Sequence, residues 1–203
     1  MSGYSGVRRN WDTITSSCWR KLSGLFPCWR CLWMQVLLLF SRAAARCSLE
    51  IIKQLFDIGC LFDSVNNFTG VLASFRKVSA IELGYRKMEG QMDRYYEDVR
   101  QSALCLSTRG QIGQGLFEEF RDGLIRIKGY MYQRNYYIEN AIVDASKAAY
   151  LVTCFQHGQT DIKKYDKEID LNSLSIFSAM PKELQRLRRS LPEDALHTSF
   201  GRG

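Results

Sequence analysis

From Ala43 to about Leu106, apolar residues return every three or four positions. Ile51, Leu55, Ile58, Phe62 and Val65 begin the series. Phe68, Val71, Phe75 and Val78 continue it after a shift, and Ile81, Tyr85, Met88, Met92, Tyr95 and Val99 extend it. This is the narrow apolar seam of a helix that packs along one side, as in a coiled coil or a long hairpin. No proline falls between Pro27 and Pro181 to interrupt it. Gly70, Gly84 and Gly90 each weaken a helix by ~1 kcal/mol relative to Ala, and mark kinks or close contacts.

The strongest breaker is Ser107-Thr-Arg-Gly-Gln-Ile-Gly-Gln-Gly115, with glycines at 110, 113 and 115. A second seam follows in Leu116, Phe120, Leu124, Ile127, Met131, Ile138, Ala145 and Val152. Two apolar arms flanking one glycine turn pack antiparallel. The pattern therefore predicts an all-α fold. Its body is a long antiparallel helical hairpin over residues 48–155, turning near 108–115, with arms of ~60 Å. An additional N-terminal helix packs on the hairpin or on a membrane.

Outside this body, residues 1–17 are short, polar and loose. Residues 18–47 form a basic Trp/Cys-rich amphipathic segment. Within it Leu25, Phe26, Trp29, Leu32, Trp33, Val36, Leu37 and Phe40 recur at helical spacing. The uncharged run Cys31–Ser41 is eleven residues long, short of the ~20 that a spanning helix needs. Lying in the interface suits it better: Trp29, Leu32, Trp33, Val36, Leu37 and Phe40 enter the headgroup boundary, and Arg20, Lys21, Arg30, Arg42 and Arg46 meet phosphate. The rival reading makes the same stripe a third helix of a soluble core. Residues 156–203 read as a polar connector and a C-terminal tail with one short helix. Pro181 opens that helix, Pro192 stops it, and the tail carrying His197 frays.

Charge sharpens this division. The chain carries a net charge of +7 over 203 residues. Residues 1–49 hold seven basic residues against Asp12 alone, so six of those charges sit in the first quarter. Such a segment is drawn to phospholipid headgroups or nucleic-acid phosphates. Its Arg- and Ser-rich, acid-poor character also resembles a mitochondrial presequence. The seven cysteines lack the even count and spacing of a disulfide framework, which favours reduced thiols and an intracellular, membrane-associated protein. Asn67-Phe68-Thr69 is a formal glycosylation sequon that its helical context is expected to bury.

Candidate chemistry is sparse. Cys28-Trp-Arg-Cys31 and Cys154-Phe-Gln-His157 each have the two-residue spacing of half a zinc site, and together offer Cys28, Cys31, Cys154 and His157 for a tetrahedral ion. No other cofactor is expected. Cys28 and Cys31 also lie beside a basic amphipathic run, where thiols are acylated. No nucleophile elbow, Walker loop or His-Glu-x-x-His occurs, so no enzymatic activity and no catalytic residue is expected. Tyr95, Tyr96, Tyr130, Tyr132, Tyr136, Tyr137 and Tyr150 lie among both bases and acids, the pattern of a seam or protein interface more than of a nucleic-acid face. The function expected is a non-enzymatic, membrane-associated helical scaffold, whose hairpin binds a protein partner or itself. The alternative is a nucleic-acid-binding or zinc-stabilised regulatory protein, such as a small viral accessory protein.

Overall fold

The computed structural model describes residues 48–85, 87, 89–115, 117–131, 135–166, 168 and 180–200. The described residues are all-helical. In chain order the helices are α1 (Ser48–Ser64), α2 (Thr69–Tyr85), α3 (Met92–Ser107), α4 (Phe117–Ile127), α5 (Ile138–Gln156), α6 (Lys182–Ser190) and α7 (Pro192–Phe200). Residues 18–47, with every side chain expected above to meet a membrane, lie outside the described residues.

The centre is α5. Its composition explains why: Ala141, Ile142, Ala148, Tyr150, Leu151 and Cys154 lie on different sides of the helix and are all buried. A helix that is apolar all round belongs in a core. Its alanines also keep the rod thin, so that α1, α3 and α7 all pack against it. The seam of α1 is Ile51, Ile52, Leu55, Ile58 and Phe62, buried against α4 and α5. Each such side chain contributes ~1.5–3 kcal/mol of burial. In α3, Tyr95, Tyr96, Val99, Ala103 and Leu106 face inward, while Arg94 and Glu97 face water. Phe75 of α2 joins the same core, packed on Tyr95, Tyr96 and Phe155. A smaller cluster of Met180, Leu184, Ala195 and Leu196 ties α6 to α7 and reaches Leu104 and Tyr165.

The 48–155 span keeps its turn between α3 and α4, but each expected arm is divided. The first arm breaks at 65–68, where the side-chain oxygen of Asn67 accepts the Thr69 amide and competes with helix continuation. It breaks again at 86–91, where Lys87 and Gly90 take positive φ. The second arm breaks after Ile127. The longest described helix has 19 residues, about 28 Å at 1.5 Å per residue, roughly half the expected reach. The packing also runs differently: α3 lies on α5 and α1 on α4, with little contact between α3 and α4 themselves. Asn67, expected within a helix, is exposed in the first break.

The tail differs from expectation too. Pro192 ends α6 and at once begins α7, with Glu193 in the first turn, where an acid favours the helix start. His197, expected in a frayed end, is fully buried.

Candidate functional site

The end of one helix shapes the region that holds two of the sequence-predicted ligands, Cys154 and His157. At the C-terminus of α5, the Gln159 amide donates to the Cys154 carbonyl (2.8 Å) and the Gly158 amide to Phe155 (3.2 Å). That is a Schellman turn, with Gly158 in the left-handed conformation. The same pair of bonds ends α3, where Gly110 donates to Cys105 (2.7 Å) and Arg109 to Leu106 (3.1 Å).

The α5 turn rims a cleft of about 600 Å³ lined by residues that include Tyr150, Cys154, His157, Asp161 and Lys163. Cys154 and His157, half of the proposed zinc set, therefore share one cleft. Cys154 is buried within its wall and His157 is exposed at the rim. Burial pushes the Cys154 thiol up, only partly offset by a hydrogen bond with Tyr150. Burial likewise pushes the Tyr150 phenol up to about 12. The Tyr150 oxygen accepts the Lys163 amide at 3.2 Å. A thiol held protonated in this way is a poor metal ligand until an ion displaces the proton. Cys28 and Cys31 lie outside the described residues. Among the described residues, no three His, Cys, Asp or Glu side chains are grouped to hold a metal.

A second constellation was not foreseen in the sequence. Lys147 of α5 is almost wholly buried, yet three carboxylates converge on its Nζ: Asp63 of α1 at 2.9 Å, Glu193 of α7 at 2.9 Å and Asp144 one turn back at 3.8 Å. Burial pulls the ammonium down, but the hydrogen bonds and charges of Glu193, Asp144 and Asp63 outweigh it and leave the group raised. Asp144 is buried as well, and Tyr136 donates to it at 2.7 Å. Burial pushes its carboxyl up to about 7 against the opposing pull of Tyr136 and Lys147.

Beside this network sits the His197 ring, stacked on Tyr150 (centroids 5.7 Å, 17°) and edge-on to Phe62 (5.1 Å, 71°). Neither ring nitrogen has a hydrogen-bond partner among the described residues. Burial, aided by the nearby Lys147 charge, drives its pKa down to about 3.

The sequence did carry a signal for this network. Asp144 and Lys147 are the two charges within the otherwise uncharged run Ala141–Phe155, on the helix that composition marks as central. A charge in such a run must find a partner or change its ionisation.

The network can tie three helices together by charge. It offers no nucleophile poised beside a base, since the carboxylates are spent on Lys147 and Tyr136. Comparison with protein-family models, with curated protein sequences and with solved structures finds no match for this chain.

Proposed function

We propose that this chain is a non-enzymatic, membrane-associated helical interaction protein of the cell interior. Residues 18–47 dock on an anionic bilayer, and the helical body from 48 onward, whose two seams turn at 108–115, presents surfaces to a protein partner or a second copy. The observation that carries this reading is how the body fills its core. Ile52, Leu55, Ile58 and Phe62 of α1 pack with Leu124 and Ile127 of α4 and Leu151, Val152 and Phe155 of α5 in one cluster drawn from residues 51–155. A body that supplies its own core from those helices has no need of the stripe Trp29, Trp33, Leu37 and Phe40 as filling. That stripe is then available to lipid, with basic residues beside it adding roughly 1 kcal/mol each at an anionic surface. No helix among the described residues is long and apolar enough to cross a membrane, which fits a mode in which the contact lies within residues 18–47.

Flotation of the full-length chain with vesicles tests the reading. The chain should float with phosphatidylserine-containing vesicles, less well as salt rises, and weakly with neutral ones. Failure to float with either, together with retention on single- or double-stranded nucleic acid, would favour the phosphate-binding alternative.

A further inference from the structure

The hold on α7 is unusual in kind. Among its described side chains, the apolar anchors are Ala195 and Leu196. Beside them, Glu193 pairs with Lys147, and the His197 ring lies between Phe62 and Tyr150. A neutral imidazole can fill that slot as an aromatic ring, but its nitrogens find no partner there among the described residues. The groups that face it explain why it cannot be charged in place. From α5 come Tyr150 and the Lys147 ammonium, and from α1 comes Phe62. The carboxylates nearby, Asp63 of α1, Asp144 of α5 and Glu193 of α7 itself, converge on Lys147 rather than on the ring. An imidazolium in this slot would be a second buried cation beside the Lys147 ammonium, which already disfavours it.

We propose that α7 is an acid-released latch: a proton on His197 expels the helix from its seat on α1 and α5 and uncovers Phe62, Tyr150 and Lys147.

Glu193 departs with its helix when α7 leaves, while Asp63 and Asp144 remain beside Lys147. Asp144 is raised by burial and by Glu193, so any proton it gives up on release opposes the one that His197 takes up, and Asp144→Asn removes that opposing contribution. A ring whose docked pKa, about 3, lies below its free value near ~6.5 supports docking fully above that free value and loses the support as pH falls. The His197 contribution should make the docking equilibrium weaker by about 30-fold at pH 5 than at pH 7.5.

Hydrogen exchange of the full-length chain at pH 7.5 and pH 5.0, corrected for intrinsic exchange rates, reads this directly. The expected result is a loss of protection of up to about 30-fold in the amides of residues 195–200, with those of α3 and α5 retained. The variant His197→Phe keeps a ring in the slot and removes its nitrogens, so its α7 should be equally protected at both pH values. Imidazole NMR of the wild-type chain gives a reading that needs no variant, since the two histidines are His157 and His197. Equal protection of wild-type α7 at both pH values would overturn the latch. So would an unchanged acid response in His197→Phe, acid loss spread evenly over α3, α5 and α7, or a docked His197 that titrates near the free imidazole value of ~6.5.

Discussion

Asp144 occupies the space that a side chain at Gly59 would need. A Cβ built on Gly59 would lie 1.9 Å from the Asp144 carboxylate oxygen and 2.2 Å from its Cγ. The missing side chain on α1 is what lets a carboxylate sit between α1 and α5 at all. Asp144 is not free to yield, because it accepts from Tyr136 at 2.7 Å and faces Lys147 at 3.8 Å.

Gly59→Ala should therefore destabilise the fold, even though Ala is the better helix former by ~1 kcal/mol. Overpacking of this kind costs about 1–3 kcal/mol. Urea unfolding measures it, and a double-mutant cycle with Asp144→Ala locates its cause. With the carboxylate gone, the Gly59→Ala penalty should disappear. A penalty of equal size in both backgrounds would mean that the clash lies elsewhere.

The pH dependence of stability should contain two opposing contributions. Asp144 has its folded pKa raised to about 7, so its contribution is full below its unfolded value near ~3.9 and is lost as pH rises toward 7. His197 has its folded pKa lowered to about 3, so its contribution is full above ~6.5 and is lost as pH falls. Between pH 4.5 and 6.5 each slope approaches ~1.4 kcal/mol per pH unit, with opposite sign. Asp144→Asn should then show its largest deficit relative to wild type at pH 4.5, and His197→Phe at pH 6.5. Urea unfolding at three pH values checks this, and deficits that do not change with pH would refute both assignments.

The turn between α3 and α4 should be intolerant of a side chain at one position in particular. Gly113 has φ +91, and a Cβ there would lie 2.5 Å from both the Cys105 amide nitrogen and the Gln101 carbonyl oxygen. Backbone atoms of a packed helix cannot give way as a side-chain tip can. Gly90 has φ +75 but open space around it. Gly90→Ala should cost only the left-handed strain of ~1–2 kcal/mol, and Gly113→Ala clearly more. Thermal melts of the two variants compare them, and equal melting points would contradict the packing around Gly113.

Much of this fold was legible from spacing alone. The seam residues Ile51, Leu55, Ile58 and Phe62 point where their period places them, and the glycine cluster does divide α3 from α4. What periodicity could not convey is where a seam is cut. The break at Asn67 turns on one side-chain oxygen competing for one amide, and the seam's residues continue across it almost undisturbed. Pro192 was equally ambiguous, because a proline that stops one helix is also suited to the first position of the next. The site was less legible than the fold. Cys154 and His157 were readable as a spaced pair, and they do share a cleft. The Lys147 network was half readable: Asp144 and Lys147 stand out as the two charges of an otherwise uncharged run, but no local pattern links them to Asp63 and Glu193 on other helices. His197 looked like tail because the helix that carries it shows few apolar positions.

The central claim is that membrane contact and the folded body reside in different parts of the chain. Replacing Trp33, Leu37 and Phe40 with Ser in the full-length protein tests it most directly, by measuring binding to anionic vesicles and helical circular dichroism on the same samples. Each large apolar side chain is worth ~1.5–3 kcal/mol when buried, so the triple variant should lose vesicle binding by at least about 100-fold while its helical signal and melting temperature match wild type. Loss of the helical signal, with a wild-type chain that never binds vesicles, would place these residues in the core and contradict the account.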